Sequence, residues 1–243
     1  MSKMLEVKDL TKRFGGLTAV NKVDMNVEKG EIVGLIGANG AGKTTLFNMI
    51  AGAFPPSEGT ITFNGREIQG KPGYEICRMG IGRTYQIVKP FSNLTVLDNT
   101  VVGALLLDGN VKRAREKARE VVHTVGLDYR MDVVGADLNL PELKRLELAR
   151  ALATQPQLLL LDEVMAGLNP ADSDKMIELV REINQSGVTI IIIEHVMKAI
   201  MRLSHRIYVL NQGKLISQGT PEEVSNDPEV IRSYFGEKRY AKN

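Results

Sequence analysis

The segment Gly37-Ala38-Asn39-Gly40-Ala41-Gly42-Lys43-Thr44 follows directly on the apolar run Ile32-Val33-Gly34-Leu35-Ile36. A glycine-rich turn of this spacing, between a buried strand and a helix, directs successive backbone N–H groups at a polyphosphate, and the helix dipole adds positive potential there. In that geometry Lys43 reaches the β- and γ-phosphates and the Thr44 hydroxyl ligates Mg²⁺. The pattern predicts an ATP or GTP site lined by Gly37, Asn39, Gly40, Ala41, Gly42, Lys43 and Thr44.

Two further apolar runs end in chemically useful residues. Leu158-Leu159-Leu160-Leu161 runs into Asp162-Glu163, and Val188-Thr189-Ile190-Ile191-Ile192-Ile193 runs into Glu194-His195. Unbroken runs of this length suit strands covered on both faces of a parallel sheet. Helical segments separate them, including Ala171 to Asn184, so βαβ crossovers are the economical connection. Ligands in such sheets bind beyond the carboxyl ends of the strands, where Gly37–Thr44, Asp162-Glu163 and His195 would all emerge.

The first part of the chain reads as short strands: Leu5 and Val7 alternate with charged residues, Met25 and Val27 follow, and Ile61-Thr62-Phe63 precedes the turn pair Asn64-Gly65. From Val111 to Val125, good helix formers with apolar residues at Val111, Ala114, Ala118, Val121, Val122 and Val125 predict a surface helix. Ile207–Leu210 and Lys214–Ile216 flank Asn211-Gln212-Gly213 as a hairpin, and the chain from Pro221 reads as a helical tail.

With 243 residues, the chain is large enough to bury a substantial core. Thirty-one Lys and Arg against 29 Asp and Glu leave a net charge of +2, which gives no reason to expect a nucleic-acid partner. One cysteine, Cys77, excludes an internal disulfide framework and fits a reducing compartment. No apolar segment approaches the ~18–20 residues that span a bilayer, so the expectation is a cytoplasmic protein able to dock on a membrane protein.

An acidic residue at the end of a buried strand is what a nucleotide hydrolase needs opposite its phosphate loop. Asp162 can hold the Mg²⁺ shell that Thr44 begins, and Glu163 can polarise the water that attacks the γ-phosphate. An isolated Asp-Glu pair would read as a helix cap, but beside a phosphate loop the catalytic reading is favoured. His195 alone is weak evidence, and His123 and His205 carry no assignable role.

Together these residues resemble the ATP-binding cassette ATPases that drive ABC transporters, from Leu5 to Gly219-Thr220-Pro221-Glu222-Glu223. The resemblance implies an α/β P-loop NTPase fold with a mostly parallel core sheet, an antiparallel β subdomain and an inserted helical subdomain. Residues 1–243 would form one cassette, with the insertion at 87–160 and a helical tail at 220–243. It implies ATP and Mg²⁺ as ligands, Phe14 stacked on adenine, and Gly37, Lys43, Thr44 and Thr45 as the Walker A loop. Gln86 matches the glutamine that contacts Mg²⁺ or the attacking water. Asp162 and Glu163 match the Walker B aspartate and catalytic glutamate, and His195 matches the switch histidine at the γ-phosphate.

The signature of that family, LSGGQ, is replaced by Leu138-Asn139-Leu140-Pro141-Glu142, and Ala149-Arg150-Ala151-Leu152 fixes the register. In the family this motif contacts the ATP held by the opposite subunit. Asn139 can still donate a hydrogen bond, but Pro141 has no N–H, Leu140 adds bulk and Glu142 is expected to set a carboxylate near the polyphosphate. Asn169 stands for the usual D-loop aspartate, and Val164-Met165 replaces the usual proline-threonine type pair. Intact Walker residues beside an impaired signature predict a heterodimer with a second cassette chain.

Phe14-Gly15-Gly16-Leu17, Gly82–Gln86, Leu94–Asn99, Asn169-Pro170 and Ile193–Met197 are most similar to the importer ATPases of the branched-chain (hydrophobic) amino acid type, which include urea importers. That similarity implies two membrane permease subunits, indirectly a substrate-binding protein, and a place on the inner face of the cell membrane. Phe91 and Leu94 then serve either permease contact or internal packing. Other readings stay open: a non-transport cassette acting on nucleic acid or ribosomes, a regulatory nucleotide-binding module, and a silent subunit.

Overall fold

A computed structural model describes residues 3–106 and 109–235 of the chain. Its strands are β1 (Lys3–Phe14), β2 (Leu17–Glu28), β3 (Ile32–Gly37), β4 (Glu58–Phe63), β5 (Arg66–Glu67), β6 (Ile81–Arg83), β7 (Leu158–Asp162), β8 (Thr189–Ile193), β9 (Arg206–Asn211) and β10 (Lys214–Gly219). Its main helices are α1 (Lys43–Ile50), α2 (Gly73–Arg78), α3 (Val96–Ala104), α4 (Val111–Thr124), α5 (Leu140–Leu152), α6 (Pro170–Gln185), α7 (Met197–Leu203) and α8 (Pro221–Asn226). They fall into two units, one of residues up to 73 with those from 189 onward, the other of residues 74–188.

In the first unit, β1 pairs antiparallel with both β2 and β4, and β4 turns through Asn64-Gly65 into β5. Alternation along β1 buries Leu5 and Val7 while Glu6 and Lys8 point outward, as a sheet with one buried face requires. β3 lies parallel to β8 on one side and β9 on the other, and β9 turns back antiparallel into β10. All residues of β3 and β8 are buried, which their unbroken apolar runs foretold. Arg206 ties β9 to β2: its Nε and Nη2 reach Glu31 at 2.9 and 3.0 Å, and Nη2 also donates to the Asn26 carbonyl at 2.9 Å. The buried Tyr208 hydroxyl accepts from Asn26 N–H and donates to its carbonyl, each at 3.2 Å. His205 Nδ1 accepts from Ile32 N–H at 2.9 Å, a structural task that the sequence does not announce. The tail forms α8 and a short helical stretch to Phe235; the predicted continuation to 243 lies outside the described residues.

In the second unit, β6 and β7 pair in parallel, and Thr84 N–H extends the ladder to the Leu160 carbonyl at 2.9 Å. Helices α3, α4 and α5 pack together, with Leu97, Val101, Ala104, Ala114, Ala118 and Ala153 in one buried cluster. The helix predicted at Val111 is α4, opened by an Asn110 cap, and Val125 is its C-cap. Val111 shares the stripe of Ala114 and Ala118 at the i, i+3, i+7 spacing but is 62% exposed, because it stands in the first turn of the helix.

Tyr208→Phe should cost about 0.5–1.5 kcal/mol in chemical denaturation, since one hydroxyl satisfies both main-chain groups of Asn26.

Candidate active site

The phosphate loop joins β3 to α1 through three positive-φ glycines: Gly37 at 151°, Gly40 at 78° and Gly42 at 105°. Two are required by close approach as well. A Cβ on Gly37 would lie 2.1 Å from the Leu210 carbonyl oxygen of β9, and one on Gly42 would lie 2.5 Å from that of Ala19 in β2. Gly213, in the β9–β10 turn, locks the loop from outside: its N–H donates to Ala41 at 3.0 Å and its carbonyl accepts from Asn21 at 2.8 Å.

The first N–H groups of a helix have no intrahelical partner. In α1 no side chain caps them and no acid sits in the first turn, which suits a polyphosphate. Lys43 is buried, and its ammonium donates to the carbonyls of Gly37 and Ala38 at 2.7 and 3.0 Å, so it is held over the loop. Asn39, Gly40 and Thr44 are exposed, Thr45 is half-buried and Ala41 is buried. In the same unit, Phe14 closes β1 with its ring half exposed, edge-on to Phe54 at 5.4 Å, and the Lys12 ammonium lies 5.1 Å from its centroid. His195 is exposed just beyond the end of β8, after the buried Glu194.

The remaining predicted residues belong to the other unit. Asp162 ends β7 at 2% exposure; its N–H donates to Thr84 Oγ1 at 3.1 Å, and its Oδ2 lies 3.4 Å from Arg83 Nη2. Glu163 follows at φ 51°, a left-handed conformation that costs a residue with a Cβ about 1–2 kcal/mol. Such strain persists where the surroundings over-determine it and concentrates at functional sites. Here Gln86 Nε2 donates to Glu163 Oε2 at 2.8 Å. The structure thus brings Gln86 and Glu163 into direct contact.

The start of α5 corrects one expectation. Glu142 does not offer its carboxylate outward: it is 4% exposed and closes a capping box. Its Oε2 accepts from Asn139 N–H at 3.0 Å, and its Oε1 accepts from Arg130 Nε at 2.8 Å and the Tyr129 hydroxyl at 3.1 Å. In return Asn139 Oδ1 accepts from Glu142 N–H at 3.1 Å. Burial pushes the Glu142 carboxyl up, but the bonds from Asn139, Arg130 and Tyr129 outweigh it and hold the group below its ordinary value. Of the three N–H groups from Asn139 to Glu142, two are therefore used internally, and Pro141 has none to offer.

Reading the sequence missed Lys144, Glu147 and Arg150 of α5, which bond to the chain around Gln86. Their spacing of three residues was visible, but charged residues at that spacing ordinarily mark a solvated face.

The family model for ABC transporters matches residues 20–166, and a second model, for branched-chain amino acid ATP-binding cassette transporters, matches residues 214–239. The chain belongs to the ABC transporter ATP-binding cassettes. It is 44% identical to the high-affinity branched-chain amino acid transport ATP-binding protein LivG of Salmonella typhimurium, over 96% of this chain and 98% of that protein. With BraF of Pseudomonas aeruginosa, of the same description, it shares 40% identity over 96% of this chain and 98% of that one. The crystal structure of a nucleotide-free ATP-binding cassette from an ABC transporter matches with a TM-score of 0.89 at 29% identity, covering 97% of this chain and all of the other. The fold is accordingly the α/β P-loop NTPase fold of these ATPases.

Gly40→Ala, with open space around its Cβ, should cost about 1–2 kcal/mol through its φ alone. Gly37→Ala should be markedly worse, because the added methyl meets the main chain of β9; thermal denaturation of the two variants checks the order. The capping-box carboxylate gives a pH prediction. Because its folded pKa is lowered, its stabilisation is complete above the unfolded carboxylate value and is lost as pH falls through the folded one. Glu142→Gln should lower Tm at about pH 7, and its gap to wild type should shrink towards about pH 3.

Proposed function

We propose that this chain is the ATP-hydrolysing motor subunit of an importer for branched-chain amino acids or a related small solute. It works as one cassette, spanning 1–243 with its helical insertion at 87–160, on the inner face of the cell membrane. Its partners are a second cassette chain, two membrane permease subunits and, through them, a substrate-binding protein. No helix among the described residues is long and apolar enough to cross a membrane.

In this reading the backbone of Gly37 to Thr45 and the Lys43 ammonium hold the β- and γ-phosphates, and Phe14 stacks on adenine. Thr44, Asp162 and Gln86 are the residues that would hold Mg²⁺, which when bound neutralises charge on the phosphate oxygens. Glu163 takes the proton of the attacking water as its oxygen bonds to the γ-phosphorus and the bond to ADP breaks. His195 contacts the γ-phosphate. The observation that carries the reading is the contact between Gln86 and Glu163, because it aims a carboxylate held in a strained backbone conformation at the end of a buried strand. The substrate class follows from the description of the relatives at 40–44% identity.

The occupied N–H groups at the start of α5 support a second, different cassette chain rather than a homodimer. Glu163→Gln should lower ATP turnover by about 10²–10⁴-fold while retaining nucleotide binding. By size-exclusion chromatography with light scattering it should stay monomeric in Mg-ATP. Retained turnover would sink the role of Glu163, and an ATP-dependent homodimer would sink the heterodimer.

A further inference from the structure

One face of α5 carries three charged residues, each of which is bonded to main chain. Lys144 and Glu147 are 4% and 5% exposed, and Arg150 follows three residues on. Lys144 Nζ donates to the carbonyl oxygen of Glu163 at 2.9 Å and to that of Gln86 at 3.3 Å. Glu147 Oε1 accepts from Tyr85 N–H at 3.3 Å. Arg150 Nη1 donates to the Lys89 carbonyl and to Glu147 Oε2, both at 3.0 Å, and its guanidinium lies 5.1 Å from the Phe91 ring centroid. The segment from Tyr85 to Phe91, which has little regular structure of its own, is therefore fastened to α5 at several points along its length.

Burying an ammonium is costly unless its donors are used. The two carbonyls that use Lys144 belong to Gln86 and Glu163, the residues whose side chains meet at 2.8 Å. The pair is thus joined twice, once through side chains and once through main chain. The second link acts directly on the strained residue: it holds the carbonyl of Glu163, whose φ is 51°. An ammonium has three donors and can hold both carbonyls at once. A methionine of similar length can hold neither.

We propose that Lys144 is a positioning residue for hydrolysis, its ammonium cross-linking the main chain of Gln86 and Glu163 so that the Glu163 carboxylate keeps its aim. The proposal rests on the reading of Glu163 as the base. It gives Lys144 no contact with nucleotide.

The test compares Lys144→Met, Lys144→Arg and Glu163→Gln in the full chain for ATP affinity, Tm, and amide hydrogen exchange over residues 84–91 and 163–166, and in the chain assembled with its partner cassette for kcat. Displacing a catalytic group by about an ångström lowers rate by on the order of 10²-fold. Lys144→Met is expected to lower kcat by at least about tenfold with ATP affinity within about twofold, and to speed exchange in both segments. Lys144→Arg, which keeps donors, is expected to recover most of the lost rate and protection. Wild-type kcat and exchange in Lys144→Met would overturn the proposal. So would equal losses in the Met and Arg variants that track a common fall in Tm, the mark of a packing role. Full turnover in Glu163→Gln would overturn the base assignment and with it the catalytic role of Lys144, while exchange would still report whether the cross-link exists.

Discussion

No side chain larger than hydrogen fits at Gly37, because the main chain of β9 passes where a Cβ would stand. The parallel pairing of β3 with β9 sets Gly37 opposite Leu210, and the phosphate loop begins at that point. From there each turn of the loop leans on another piece of the first unit: Gly42 on Ala19 of β2, and Ala41 on Gly213 of the β9–β10 turn. Segments distant in sequence hold the backbone of the loop. This is what an anion site made of N–H groups needs, since donors fixed in place lose little on binding. Gly37 and Gly42, which a phosphate requires from one side, are also required by packing from the other.

The second unit solves a different problem, with charge rather than close approach. Glu142, Lys144 and Glu147 are all buried on one helix, an arrangement that adds little net stability when compared with well-packed apolar residues. It supplies direction instead. Each buried charge meets a specific main-chain or side-chain partner, and two of these bonds fasten the loop after β6 and the residue after β7. Removing one member leaves its partner desolvated and unsatisfied, which makes these residues harder to replace than exposed ion pairs such as Lys117–Glu120.

Much of this was legible in the sequence where a residue acts through the local chain. The strands β3, β7 and β8 showed as apolar runs, the phosphate loop as a spacing of glycines, and the β9–β10 hairpin as Asn211-Gln212-Gly213. The residues that act across the fold were not legible. His205 and Lys144 look like surface residues because nothing in their neighbours shows which main-chain groups they will meet. Glu142 was read with the wrong direction for a related reason. A glutamate three residues after an asparagine is a capping-box pattern. The resemblance to a signature motif concerns what this carboxylate would face, whereas the capping pattern concerns the N–H behind it. Val111 lies on the stripe and is still exposed, since helical periodicity does not tell which turn of a helix is the first to be covered.

The two helices that begin at glycine-rich or signature-like segments then differ in one physical respect. α1 opens with no side-chain cap and no acid in its first turn. α5 opens with Asn139 and Glu142 capping each other, a proline inside the first turn, and Arg130 drawn to the carboxylate. The dipole of both helices points positive at the start. In α1 that potential remains available to a phosphate, whereas in α5 it is satisfied by the chain itself. The start of α1 is thus left open to a phosphate, while that of α5 closes on itself.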